Sequence, residues 1–288
     1  VRYCYMHNIM RVHILTTESD GWTLEYNKIA LNGEYDNNNI HKEAWSFQQD
    51  DNVTIRYNIF EDITGTAVIA GVNGSGTCDN WEIHGNVFVH TGNATDVELS
   101  PGIIHVKYNS PTFLEATNWK FYNNSIININ DGLTDTAGPG LTLSKGNGSN
   151  NVAYNNIWYN NTRNAIDLTA LDDHDYNWFY ENWRKDREPN LDLDADLVAS
   201  EDYGELGSEE PFTDWANGDY SLKSELAGAD LVALGVSSEN EDALGNTRGA
   251  DGTVDIGAYE YTGEVTNPID FPDENDTTSP VIQSVTLT

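Results

Sequence analysis

The run Gly102-Ile-Ile-His105-Val-Lys107-Tyr108 puts an imidazole, an ammonium and a phenol close together in one alternating segment. Successive side chains of a strand point to opposite faces. With Ile104 and Val106 turned inward, His105 and Lys107 point outward together. Such groups suit removal of a proton beside a carboxylate. Lys107 serves as base, His105 or Tyr108 as base or proton donor, and a cation offsets the carboxylate charge. Lys107 in that role needs a lowered pKa, from a neighbouring cation or from desolvation. The same parity turns Asp167, Gln48 and His13 outward from the runs Asn164-Ala-Ile-Asp-Leu-Thr, Ala44-Trp-Ser-Phe-Gln and Val12-His-Ile-Leu-Thr. His41, Glu43, His90 and Glu115 lie in the loops that enter this face and complete a substrate-binding set. A glycoside hydrolase needs instead two carboxylates, about 5 Å apart for retention or roughly 6.5–9.5 Å for inversion.

Divalent metal chemistry has one candidate. Asp192-Leu-Asp194-Ala-Asp196 follows the opening spacing of an EF-hand loop, which points to calcium, but the Gly and the closing Glu of that motif are missing. Calcium held by acidic loop residues would also offset a substrate carboxylate.

These groups meet only if distant segments are stacked, and a repeat supplies the stacking. Asn52-Val-Thr-Ile-Arg-Tyr-Asn58-Ile-Phe and Asn80-Trp-Glu-Ile-His-Gly-Asn86-Val-Phe match position for position. Further copies start at Gly21, Asn118 and Asn151, and an opening one at Val1 has Cys4 in the Asn place. The Asn positions 27, 58, 86, 124 and 156 are separated by 31, 28, 38 and 32 residues, so constant strands are joined by variable loops. Each copy continues through a short apolar segment and a turn into a third alternating run. Three short strands per turn predict an all-β solenoid: a right-handed parallel β-helix of about seven rungs, spaced about 4.8 Å apart. An Asn at one corner of every rung predicts a stacked amide ladder, with the Asn itself in the left-handed conformation of a tight turn.

Residues 1 to about 180 resemble the pectate-lyase-like right-handed β-helix superfamily. That resemblance implies a substrate lying along one outer face, across successive rungs. Asp50-Asp51 invites comparison with the paired Asp of polygalacturonases, but the other motifs of that family are absent, and the pair falls at a corner where turn residues are expected. Asp251-Gly-Thr-Val-Asp-Ile-Gly-Ala-Tyr-Glu260 is similar to the closing segment of secreted bacterial β-helix proteins. The expected organisation is rungs over 1–174, the last irregular rungs and a C-terminal cap over 175–263, an acidic linker over 264–279, and the start of a truncated β-sandwich-like module over 280–288. Flanking domains of a longer parent are implied. The opening in strand-like sequence, without Met, reads as a mature or excised piece.

Composition narrows the partners. Net charge is −33, which repels nucleic acid and anionic membranes. Hydrophobic content of 38% beside 11% aromatic residues suits a thin core with a large ordered surface. No apolar run is long enough for a membrane span. This composition implies an extracellular or cell-surface place. Cys4 and Cys78 read as two thiols rather than a disulfide framework. The expected partner is an extracellular polysaccharide, acidic through uronate or sulfate. A lyase stands slightly ahead of a glycoside hydrolase. The alternative class is a non-catalytic β-helix: an adhesin, a glycan-binding stalk or a structural surface component. No organic cofactor is expected.

Overall fold

The computed structural model describes residues 1–7, 12, 14–32, 43–63, 65–72, 77–92, 102–108, 116–129, 141–142, 148–161, 171–184 and 191–263. The chain forms a parallel β-helix. Each turn passes through three sheets, here called A, B and C, with every strand pairing parallel to its counterpart one turn on. Sheet A comprises Thr23–Glu25, Thr54–Arg56, Glu82–His84, Lys120–Tyr122, Val152–Tyr154 and Asp173–Asp175. Sheet B runs from Tyr5–His7 through Lys28–Asn32, Ile59–Ile63, Val87–Val89, Ser125–Ile127, Ile157–Tyr159 and Trp178–Tyr180 to Glu205–Leu206. Sheet C comprises Ile14–Thr17, Trp45–Gln48, Thr66–Val72, Gly102–Tyr108 and Leu141–Thr142.

The inward residue of each short strand fills a narrow core. Leu24, Ile55, Ile83 and Phe121 of sheet A meet Phe60 and Phe88 of sheet B and Trp45 and Phe47 of sheet C. Equivalent residues of successive turns lie directly above one another. Phe60 and Phe88 stack at 4.8 Å and 6°, Trp81 and Trp119 at 4.5 Å and 5°. Such aromatic pairs add to what area burial alone contributes.

The corner from A to B has the same form in every turn: one residue at positive φ, then a buried Asn. The first residue is Tyr26 (54°), Tyr57 (58°), Gly85 (64°), Asn123 (50°), Asn155 (53°) or Tyr176 (56°). The second is Asn27, Asn58, Asn86, Asn124, Asn156 or Asn177, each buried. The ladder exists, but its Asn residues are not the left-handed ones; the residue before takes that strain. The Asn is reserved for bonding. Asn86 Oδ1 accepts both the backbone N–H and the side-chain amide of Asn58, each at 3.0 Å, and Asn86 repeats both bonds to Asn124. At its opening end Asn27 Oδ1 accepts from Cys4 N at 3.0 Å, which confirms Cys4 in the Asn place. Gly85 replaces Tyr or Asn because the Tyr57 ring crosses it; a Cβ there would lie 2.5 Å from Tyr57 Cδ1.

At the corner from C to A the opposite holds. Asn52, Asn80 and Asn118 are left-handed themselves and form a surface ladder, Asn80 donating to Asn52 at 3.0 Å and Asn118 to Asn80 at 2.9 Å. Asp50 and Asp51 are turn residues here. Asp50 accepts from Ser19 N at 2.7 Å and Thr16 Oγ1 at 2.8 Å, and Asp51 from Asp79 N at 2.7 Å. Cys4 and Cys78 are free thiols.

One end of the rod is closed by helix α1, Asp194–Ala199, whose Leu197 joins the core. The segment 211–261 then turns back along the outer side of sheet B. Phe212, Tyr220, Leu222, Ile256 and Tyr259 cover Ile59, Val87, Ile127 and Ile157 there. The Asp255-Ile-Gly-Ala-Tyr-Glu260 motif therefore clasps the flank of the rod, not its end. Ala258 N donates to Ser125 Oγ at 3.0 Å and Gly257 N to Asn155 O at 2.9 Å. Inside the clasp, Arg248 donates to the carbonyls of Gly257 and Ala258, both at 3.0 Å. Sheet B needs this cover because both of its faces are apolar, as in Val87-Phe88-Val89. Among the described residues no helix is long and apolar enough to cross a membrane.

Candidate functional site

Two of the rod's flanks meet the returning arm. Its described polar contacts run to sheets A and B: Tyr220 OH to Glu61 at 3.2 Å, Ala229 N to Asn155 at 2.9 Å, Glu239 to Arg56 at 2.6 Å. Sheet C is the flank that these contacts do not reach. Its connections are also the longest. Sheets A and B are always joined by two residues, such as Gly85-Asn86, whereas 90–101 and 109–119 lead into and out of the strand Gly102–Tyr108.

The register on sheet C decides which sequence-predicted residues come together. Lys107 pairs with Gly71 and Gly71 with Gln48, which itself pairs with Thr17. The neighbouring row but one is Leu15, Ser46, Ile69, His105 and Thr142. Phe47 and Ala70, in the row between, are buried core residues. Gln48 and Lys107 thus occupy one register row two rungs apart, about 9.6 Å at the usual strand spacing, with a side-chain-free Gly71 between them. Tyr108 follows in the next row, opposite Val72.

Glu43 is buried just before the strand Trp45–Gln48. His90 is buried too, its Nε2 at 3.1 Å from Ile63 O, beside a small internal void lined by Phe60, Ala67, Phe88 and Ile129. His13, His41, Glu115 and Asp167 lie outside the described residues. The three Asp of 192–196 sit where the chain enters α1. Asp192 Oδ1 accepts Asp194 N at 3.0 Å, and Asp194 Oδ1 accepts the side-chain amide of Asn182 at 2.7 Å. Burial pushes the Asp194 carboxyl up. Asp194 thereby ends a second buried ladder, Asn161 to Asn182, while Asp196 is exposed. Among the described residues no group of three or more His, Cys, Asp or Glu side chains is arranged to hold a metal ion, and these three form no such group.

A further constellation lies on the outer side of sheet A. Register aligns Glu25, Arg56, His84, Tyr122, Tyr154 and Asp175 in one row. Glu25 accepts from Arg56 Nε and Nη2, both at 2.8 Å. His84 stacks on Tyr122 at 4.7 Å and 6° and meets the edge of Tyr57 at 5.3 Å. Its ring is 2% exposed and Nε2 has no hydrogen-bond partner. Burial holds the His84 pKa well below the ordinary imidazole value, and the charges of Arg56, Arg248 and Lys120 push it the same way. Burial likewise raises the phenols of Tyr57 and Tyr122. The sequence signal for this row was the outward position of the first run in each repeat, Thr-Leu-Glu25, Thr-Ile-Arg56, Glu-Ile-His84 and Lys-Phe-Tyr122.

No protein-family model matches the chain, and no curated protein matches it in sequence.

Proposed function

We propose that the chain binds an acidic extracellular polysaccharide along the outer face of sheet C and cleaves it, by β-elimination ahead of hydrolysis. The observation that carries this reading is the register row Gln48–Gly71–Lys107. Its register puts Gln48 and Lys107 two rungs apart on one row with Gly71 between, a backbone spacing of about 9.6 Å that fits a pyranose ring with its substituents. In this reading Lys107 takes the proton beside the sugar carboxylate, while His105 or Tyr108 returns one to the leaving oxygen. The alternating sequence of their runs would assign Asp167 and His13 to the same face. Gln48 orients the sugar; a calcium ion would offset the substrate carboxylate if one were bound, and among the described residues no acidic group is arranged to hold it. The resemblance of the repeats to the pectate-lyase-like superfamily, and of residues 251–260 to the closing segment of secreted β-helix proteins, supports both the choice of face and an extracellular setting.

The test is a panel of uronate and sulfated polysaccharides. Elimination products are followed by ultraviolet absorbance of the new conjugated double bond, and hydrolysis by reducing ends. Loss of turnover in Lys107→Ala and His105→Ala, with folding intact, is expected. Unchanged turnover in both variants removes this site. Absence of turnover on every glycan, with binding retained, moves the chain to the class of glycan-binding stalks and adhesins.

A further inference from the structure

The sheet A row is roofed by one short piece of the returning arm, Ser237-Ser-Glu-Asn-Glu241. This strap runs between two apolar anchors. Leu231 is buried against Tyr122 and Tyr154, and Ala243 against sheet B. The strap itself contributes no apolar side chain, and Ser238, Asn240 and Glu241 are exposed. Three polar contacts hold it down. Glu239 Oε1 meets Arg56 Nη1 at 2.6 Å, Glu241 O accepts from Tyr57 OH at 3.0 Å, and Ser237 Oγ donates to Tyr122 OH at 3.1 Å. Its far side is tied back by Arg248 N to Asn240 O at 2.7 Å.

A carboxylate on a guanidinium and oxygens on two phenols are what one uronic-acid residue presents through its carboxylate and hydroxyls. We propose that the row Arg56–His84–Tyr122, with Tyr57, is a second binding site for an anionic sugar, and that the strap occupies it as a tethered stand-in. The Glu239 carboxylate rests on Arg56 where the sugar carboxylate binds when the strap lifts.

Four observations converge on this. The chain carries 14 Lys and Arg against 47 Asp and Glu, yet three of these cations, Arg56, Lys120 and Arg248, gather close enough to act on His84, each met by a carboxylate. Arg56 is already gripped by Glu25 on the rod itself, so its fork stays aimed when Glu239 leaves. The exchange keeps charge balanced, since one carboxylate replaces another, and the Glu239 side chain is 34% exposed before it moves. Finally, the buried His84 Nε2 lacks the partner that such a group normally has, and a sugar hydroxyl supplies one. A tethered competitor acts at an effective concentration on the order of millimolar, so the strap weakens any free ligand at this place.

The inference rests on the reading that the chain handles anionic glycans, but its flank differs from sheet C and its readout is binding, not turnover. Galacturonate and guluronate trimers are titrated calorimetrically into wild type, Glu239→Gln, and Glu239→Gln with Arg56→Lys, at fixed salt. Glu239→Gln is expected to bind one trimer at least about fivefold more tightly than wild type, because the competitor has lost its charge. Adding Arg56→Lys, which keeps the charge and removes the fork, is expected to cancel that gain. Equal or weaker binding by folded Glu239→Gln, binding of neither trimer, or a gain that survives Arg56→Lys overturns the proposal. Polysaccharide turnover measured on the same variants separates the two readings. Turnover without a strap effect removes only this site, and a strap effect without turnover removes only the proposed cleavage.

Discussion

Asn177 donates its side-chain amide to Glu201 Oε1 at 2.7 Å and its backbone N–H to Oε2 at 2.9 Å, so the longest buried ladder ends on a carboxylate with 0% side-chain exposure. His174 Nδ1 stands at 3.0 Å from the same Oε1. A ladder of amides points all its donors one way, and the last pair has no further Asn to receive it. Glu201→Ala orphans both donors, at about 1–3 kcal/mol each. Glu201→Gln keeps one acceptor and is expected to lose roughly half as much. Urea melts give the order, and amide exchange gives the place: protection should fall first at Asn156 and Asn177. Unchanged exchange at those two amides would rule out this role for Glu201.

The two kinds of Asn ladder are expected to differ sharply in worth. Asn86→Ala leaves the buried backbone N–H of Asn58 unmet and takes the Asn86 amide from Ile55 O and His84 O, and is expected to cost at least about 2 kcal/mol. Asn118 bonds Asn80 at the surface, where water replaces the amide, and its φ of 61° suits glycine. Asn118→Gly is therefore expected to stay within about 0.5 kcal/mol of wild type. Denaturant midpoints of the two variants check the contrast. A cost for Asn118→Gly equal to that of Asn86→Ala would mean that the surface ladder also bears on stability.

Much of the rod was legible because its signal is periodic. Asn58 and Asn86 at matched places, with alternating apolar residues before them, require stacked strands whatever the loops do. Strand parity likewise put Trp45, Phe47 and Ile104 inside, where they are buried. The Asn corner was placed correctly and its backbone was not. Sequence shows which residue is invariant from turn to turn, but positive φ falls on the variable neighbour, Tyr26, Tyr57 or Asn123. The returning arm was missed for a related reason. Val87-Phe88-Val89 is apolar on both faces, which requires cover on the outside as well as the core, yet nothing local says which distant segment supplies it. The strap over the sheet A row was invisible on the same ground, since Arg56 and Glu239 are 183 residues apart.

Acid is expected to act on the arm through two groups of opposite sign. His84 has a folded pKa well below its ordinary 6.5, so unfolding takes up a proton below that pH. Its contribution is whole above about 6.5 and is lost as pH falls. Asp255 is pushed up by burial from 3.8 to about 6 in the folded state, so it holds its proton more tightly when folded. Its contribution favours folding at low pH and is lost as pH rises from about 4 to 6. Stability measured between pH 4 and 7 should separate them. His84→Phe, which keeps the stack on Tyr122, removes the acid-side loss relative to wild type. Asp255→Asn is weaker at every pH because its amide nitrogen faces Leu226 N or Tyr261 N, and its profile is flatter over this range. Parallel profiles for wild type and His84→Phe would show that the imidazole is not strained by its burial.

Gly257 tests whether the arm is held by fit against sheet B. Its φ is 95°, and a Cβ there would stand 2.5 Å from Ile157 Cδ1 and 3.0 Å from Ser125 Oγ. Gly252 has a similar φ of 105° but open space around it. Both Ala substitutions carry the backbone penalty of about 1–3 kcal/mol, and only Gly257→Ala adds the overpacking cost of about 1–3 kcal/mol. Gly257→Ala should also break the bonds from Gly257 N to Asn155 O and from Ala258 N to Ser125 Oγ, which fasten the clasp to the rod. Limited proteolysis reads this directly. Cleavage within 211–261 should quicken in Gly257→Ala well beyond Gly252→Ala. Binding of an environment-sensitive dye should rise as Ile59, Val87 and Ile127 come into contact with water. Equal protease rates in the two variants would show that backbone strain alone sets the hold of the arm, and that the close approach to Ile157 contributes nothing to it.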